Sequence, residues 1–513
     1  MTGAHADHPL ERLPEAPPLQ AQGLPLFHAS SICFALTTIA LFALRSPSLD
    51  EWDSVQFAQG VLHFDLNMHR PHPPGYPLYI FSGWLLHTVL GMAAPLALST
   101  VSALCGGLFV TAWFAHATQR FGRPIALLLA TSLLLTPAVW MTATKVLTDI
   151  PSSAFLALQL LASHLYTKHK TLRWLVLVAL CGALCSGMRP QNTGIVLLLT
   201  LQAVGFAQPR SARHWLAALA LFILLHLAWL LPTMWTQSRT EGSPGMGAYA
   251  AQLLHQWRWR LDKPEVFLGA GEVGTSRVVE RVAAHWGGWF YYGFGFRDTF
   301  QGIAAALFFL MGWIIYLWHR TFWRDPAHRT FWYQMLPWAL LYSLTILICL
   351  PHDQRYYVPI YPLLILGAVV GWWSLVTWAR WLAVGFPLML FFILFPLARD
   401  NAFEDVPPLR LIHHVEELHP PEERPRVVLI LKDSYRHGQW YAEGFQVLRQ
   451  SEAAAQPQAL HDALAVYTDS DDTTTKLGWP DDAADKLKGF RRNKLIYRKH
   501  SNVTLYRLTV PSS

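Results

Sequence analysis

Apolar runs recur from Phe27 to Leu397, broken by short polar segments, and Trp, Tyr and Phe stand at many of their ends. A single soluble core cannot bury so many runs. They point to helices crossing a bilayer, with amphipathic rings settled in the headgroup layer. Hydrophobic residues make up 53% of the 513 and charged residues 14%, against roughly one quarter charged in soluble domains. The fold class expected is an all-α polytopic membrane protein with about eleven transmembrane helices. Several runs are shorter than the roughly 20 residues that span hydrocarbon, so their helices must extend into the flanking loops. The first run has no basic segment before it and no small-residue cleavage pattern after it, so it reads as a retained helix.

Cys33, Cys105, Cys181, Cys185 and Cys349 all fall in or beside apolar runs, which leaves no disulfide framework for aqueous segments. The net charge of +7 is scattered over short loops and the tail, so no nucleic acid is expected as a partner.

Positive residues in short loops mark the cytoplasmic side. Four connections qualify: Arg120 with Arg123; Lys168, Lys170 and Arg173; Arg210 with Arg213; and Arg320, Arg324 and Arg329. The alternate connections, including the large loops 45–94 and 236–302, then lie outside. This parity requires the run 77–90 to rest along the interface. The chain divides into a cytoplasmic tail (1–26), a membrane domain (27–397) and a soluble extracytoplasmic domain (398–513). Alternating strand patterns at 427–431, 463–467, 494–497 and 503–510, with a helix-compatible stretch at 438–449, predict a small C-terminal α/β domain. Its basic run from Lys486 to Lys499 suits anionic lipid or an acceptor.

The first outer loop crowds Asp50, Glu51 and Asp53 together just after a helix leaves the bilayer. Like charges this close raise at least one pKa. Juxtamembrane acids become functional candidates when partners can be named. Other outer connections supply them: Lys145 and Asp149; Arg189 and Gln191; His352, Asp353 and Arg355. Opposite charges from distant loops can meet above a water-filled cavity that admits an anionic lipid.

The acid cluster, the run His72-Pro73-Pro74-Gly75-Tyr76-Pro77 and the segment from Arg355-Tyr356-Tyr357 to Pro362 together resemble the GT-C superfamily of integral-membrane glycosyltransferases. The likeness covers roughly the first 380 residues and is greatest to the protein-mannosyltransferase and aminoarabinose-transferase branch, glycosyltransferase family 39-like. It implies a mannosyltransferase-like enzyme of the cell envelope. Such an enzyme moves a hexose or pentose from a polyprenyl-phosphate donor to a hydroxyl on a lipid, glycan or protein. It further implies a bacterial inner membrane location with the active site and tail in the periplasm.

By the same resemblance Asp53, followed by Phe57 and Ala58, is the catalytic base, with Asp50 and Glu51 competing for the role. The usual Asp-Glu pair is here Asp53-Ser54. Asp149 matches the second acidic motif, and Arg355 the arginine that meets donor phosphate. Arg189 or Lys145 would add a second positive charge to the leaving phosphate. His72, between prolines, reads as a loop-ordering residue, Gly75 as a tight turn, and Tyr76 and Tyr356 as ordering or substrate contacts. The spacing of these residues compels no cofactor. Asp50, Asp53 and Asp149 offer oxygens to Mg²⁺ or Mn²⁺ in those relatives that use a metal. The aromatic and basic stretches 256–260 and 285–292 read first as interfacial anchors and second as a roof over the site. The alternative is a secondary transporter for an anionic or lipid-linked substrate, which expects broken helices paired at midplane. A membrane scaffold leaves the acid cluster unexplained.

Overall fold

A computed structural model describes residues 23–240, 299–318, 326–349, 354–375, 377–493 and 501–510, with isolated residues between 247 and 296. The stretches 256–260 and 494–497, most of 285–292, and the pair His352 and Asp353 lie outside the described residues.

The apolar runs fold as helices: α1 (Gly23–Ala43), α2 (Trp52–Leu62), α3 (Pro77–Leu90), α4 (Ala94–Phe121), α5 (Arg123–Leu135), α6 (Pro137–Ala143), α7 (Asp149–His169), α8 (Leu172–Met188), α9 (Thr193–Ala207) and α10 (Ala212–Ser238). Beyond the long loop come α11 (Thr299–Trp318), α12 (Pro326–Cys349), α13 (Tyr361–Trp373) and α14 (Thr377–Phe403). Prolines open α3, α4, α5, α6 and α13, where the missing N–H is not needed. Pro137 also forces the break between α5 and α6, which meet at a bend of 64°.

Among the described residues five helices are long and apolar enough to cross a membrane, or six if the bent pair counts as one span. The expected eleven is not reached on that measure. Runs such as α8, with 17 residues, and α13, with 13, are too short alone. The apolar helix α3, with 14 residues, leaves Phe81, Trp84, Leu85, Val89 and Leu90 exposed along its length. Where α11 crosses α13 the backbones touch, because a Cβ on Gly371 would fall 1.8 Å from the Gly312 carbonyl oxygen. Small residues allow this close approach in membrane bundles.

Helix α14 continues to Phe403, past the boundary expected at 397. After α15 (Pro407–Leu418) the chain builds β1 (Val427–Ile430), α16 (Tyr435–Tyr441), β2 (Gln446–Leu448), β3 (Ala465–Thr468), β4 (Ala484–Arg491) and β5 (Asn502–Leu508). The sheet order is β2-β1-β3-β5-β4. β1 runs parallel to both β2 and β3, whereas β5 is antiparallel to both β3 and β4. All four residues of β1 are buried, as a strand covered on both faces requires. The sequence reading finds β1, β3 and β5 but not β2 and β4, which are the two edges. Edge strands are kept short or charged, so the alternation that reveals a strand is missing from Ala484 to Arg491.

This sheet domain docks on the first loop. The Leu49 N–H donates to the Tyr441 hydroxyl at 2.8 Å, His437 Nε2 lies 3.0 Å from the Leu49 carbonyl, and Trp52 Nε1 donates to the Asp433 carbonyl.

Candidate active site

Helix α2 carries Asp53 in its first turn, with Glu51 as the residue before the helix, and the Glu51 N–H donates to Ser54 Oγ at 3.4 Å. The Asp53 side chain is 30% exposed. Arg355, in the short 3-10 turn Gln354–Tyr357, brings Nη1 to 3.0 Å from Asp53 Oδ2. The two groups expected to meet therefore do.

The pair extends into a chain of opposite charges. The Tyr356 ring lies between two guanidiniums, with Arg189 4.6 Å and Arg355 5.2 Å from its centroid. Arg189 in turn is ion-paired with Asp149, the first residue of α7. Four loops expected to lie on one side of the bundle thus contribute to one site.

The His72 to Pro77 run forms its wall. His72 Nδ1 is 3.8 Å from Asp53 Oδ1, and Nε2 is 3.0 Å from the Tyr76 hydroxyl, which also accepts from Gln191 Nε2 at 3.1 Å. Phe57, one helical turn after Asp53, packs against His72 and Tyr76 with ring centroids 5.5 and 5.0 Å away. Burial pushes the His72 imidazole below its ordinary range. The Asp53 carboxylate opposes the shift, and Arg355, His69 and Arg189 add to it. Burial pushes the Tyr76 phenol up. Gly75 takes φ +93° and Tyr76 φ +48°, so this segment turns sharply into α3 as expected.

Two candidates are placed elsewhere. Lys145 Nζ closes on Asp50 Oδ2 at 2.9 Å with side chains 3% and 0% exposed, so neither is open to solvent. Ser46 Oγ donates to Asp50 Oδ1 at 2.6 Å, and Arg492 Nη1 stands 3.9 Å from the same oxygen. The expected catalytic role of Asp50 and phosphate role of Lys145 give way to a sealed ion pair at the seam with the sheet domain. Sequence reasoning missed Ser46, whose place four residues before Asp50 carries no motif, and Arg492, which nothing in linear spacing ties to so distant a carboxylate.

Asp50, Asp53 and Asp149 are each taken up by a different cation. Among the described residues no group of three or more His, Cys, Asp or Glu side chains is arranged to hold a metal ion. The site offers one exposed carboxylate and two arginines whose positive charge is shared with a tyrosine face. Such a set can accept a proton and hold a phosphate.

Residues 71–235 match the family model described as dolichyl-phosphate-mannose-protein mannosyltransferase. No curated protein matches the chain in sequence. Among solved structures, ArnT from Cupriavidus metallidurans bound to undecaprenyl phosphate is 14% identical, with a TM-score of 0.53, over 94% of this chain and 97% of that one. The Archaeoglobus fulgidus oligosaccharyltransferase in complex with Zn and sulfate is 11% identical, with a TM-score of 0.52, over 90% of this chain and 72% of that one. At these identities the likeness establishes a common fold. The family match and that fold bear out the resemblance of this chain to the GT-C superfamily of integral-membrane glycosyltransferases, consistent with its protein-mannosyltransferase and aminoarabinose-transferase branch.

Proposed function

We propose that this protein transfers a sugar from a polyprenyl-phosphate donor to a hydroxyl on a lipid, glycan or protein acceptor, at the extracytoplasmic face of a bacterial inner membrane. The observation that carries this reading is the solvent-reached ion pair between Asp53 and Arg355, 3.0 Å apart. ArnT, whose fold the chain shares, was solved with a polyprenyl phosphate bound, which supports the donor class. The positive loops that alternate with the site's loops support the orientation. In the same reading the chain makes about eleven crossings between residues 27 and 397, with residues 1–26 cytoplasmic and the sheet domain exported.

A hydroxyl is a poor nucleophile at neutral pH. Asp53 accepts its proton as the oxygen bonds to the sugar's C1 and the bond from C1 to the phosphate oxygen breaks. The lipid phosphate leaves with that electron pair and needs fixed positive charge rather than a proton. Arg355 grips it with two parallel N–H donors, and Arg189, oriented by Asp149 and capped by Tyr356, adds the second charge. His72 and Tyr76 hold the wall that aims Asp53. The loop position of these groups favours transfer at a rim over the transporter alternative, in which charges line the midplane.

The test is transfer from a radiolabelled polyprenyl-phosphate sugar by the purified Asp53→Asn variant. A fall of roughly 10²–10⁴ in rate with an unchanged melting curve is expected. Full activity would remove Asp53 from the role of base.

A further inference from the structure

A concavity lies along α2 beside the candidate site. It has a volume of about 790 Å³ and runs between α2 and the sheet domain, lined by Trp52 and Gln56 on one side and by Lys432, Arg436, Arg449 and Lys476 on the other. Trp52 and Gln56 share one helix face, and Asp53, turned by about 100° from Trp52, is paired with Arg355. Trp52, on the cleft's edge, is the chain neighbour of Asp53, so the cleft adjoins the site across one residue of α2.

The cations of the cleft are not neutralised in the usual way. Lys432 pairs with Asp472 at 2.5 Å. Among the described residues no carboxylate stands within ion-pair distance of the Arg436, Arg449 or Lys476 side chains. Arg436 is only 7% exposed and donates to the neutral Gln439 side chain at 3.0 Å. Arg449 covers the Tyr435 ring at 4.6 Å, while Glu452 is occupied by the Arg449 backbone N–H. Arg70 also sits close, with its Nε buried and unpartnered. Burial pushes the Arg436 guanidinium below its ordinary range, and the positive charges of Arg449 and Arg70 push it further. Burying the Arg436 guanidinium beside the exposed Arg449 and the half-buried Arg70, with no carboxylate in ion-pair range among the described residues, is unfavourable unless an anion arrives from outside. Two guanidiniums match the oxygens of a phosphate, and the exposed indole of Trp52 offers an apolar face beside them.

We propose that this cleft binds the acceptor, and that the acceptor carries a phosphate on its sugar, held by Arg436 and Arg449 while a hydroxyl reaches Asp53. The claim rests on the transfer reading above and adds the acceptor's chemical class.

The test measures equilibrium binding of glucose 6-phosphate, glucose and inorganic phosphate to the full-length protein in detergent. Expected is saturable binding of glucose 6-phosphate that glucose does not show and inorganic phosphate shows more weakly. Arg449→Gln, an exposed change that preserves the fold, should weaken it by roughly tenfold or more. Arg436→Gln should do the same where its melting curve is intact. Arg355→Gln should leave it unchanged. Equal affinity in wild type and Arg449→Gln, or loss in Arg355→Gln alone, would place the anion in the donor pocket and overturn the proposal. Absence of saturable binding overturns it too, and inorganic phosphate binding as well as the sugar phosphate would reduce the cleft to a free-anion site. Because binding is read without turnover, an active Asp53→Asn variant would defeat the catalytic reading while leaving this result to stand or fall by itself.

Discussion

Arg355 meets Asp53 through Nη1 and Oδ2 at 3.0 Å, with side chains 15% and 30% exposed. In the proposed mechanism a donor phosphate competes with this carboxylate for the guanidinium. Removing the arginine should therefore act on the transition state, where phosphate charge is greatest. Arg355→Gln is expected to lower kcat/KM by roughly 10²–10³. Arg355→Lys should recover only part, since an ammonium lacks the planar fork. Combined with Asp53→Asn the losses should not add, because the two side chains share one interaction. Initial rates of the three variants and the double mutant decide this.

The pair Asp50 and Lys145 sets the opposite expectation. Both are sealed from water, and Arg492 of the sheet domain approaches the same carboxylate. Leaving one buried charge alone costs about 3–5 kcal/mol. Asp50→Asn and Lys145→Met should each lower the apparent melting temperature far more than the peripheral Glu51→Gln does. The double variant Asp50→Leu with Lys145→Met should recover only part of the loss, because the buried Arg492 guanidinium still loses its carboxylate. Melting followed in detergent checks both. A double variant no more stable than the singles would mean that the pair contributes more than mutual neutralisation.

These two pairs show what could be read from residues alone. The apolar runs announced the helices, and the resemblance to a known superfamily singled out Asp53 and Arg355, which the fold brings together. It could not sort three neighbouring acids, because the sorting depends on rotation about α2. Asp50 precedes the helix and is paired in the seam with Lys145 and Arg492, whereas Asp53 sits in the first turn and meets Arg355. The cleft was illegible for a related reason. Arg436 belongs to the seven-residue helix Tyr435–Tyr441 and Arg449 follows an edge strand, and no motif ties either to Trp52.

His72 gives a prediction in pH. Burial lowers its pKa from an ordinary 6.5, so the folded chain holds the ring neutral while the unfolded chain takes up a proton near that value. Between the two pKa values the unfolded state binds more protons, and stability falls as pH falls. The loss begins near pH 6.5 and is complete below the lowered folded value. His72→Gln should flatten the melting temperature over this window while leaving stability near pH 8 little changed. An identical acid slope in wild type and variant would show that His72 is not the group responsible.

Gly75 tests whether the turn before α3 sets the geometry of the site. Its φ of +93° lies where a side chain is strained, and a Cβ there would come 3.1 Å from Leu66 Cδ2 and 3.2 Å from Phe64 Cζ. The Gly75 N–H also closes the turn onto the His72 carbonyl at 3.0 Å. Gly75→Ala should then destabilise the protein by about 1–3 kcal/mol and shift Tyr76, whose hydroxyl links His72 to Gln191. Tyr76→Phe removes only that hydroxyl, at about 1 kcal/mol for the lost hydrogen bonds, and leaves the backbone in place. If the turn aims Asp53 through His72, Gly75→Ala should lower kcat more than Tyr76→Phe does at temperatures where both remain folded. A wild-type kcat in Gly75→Ala would mean that the turn serves folding alone.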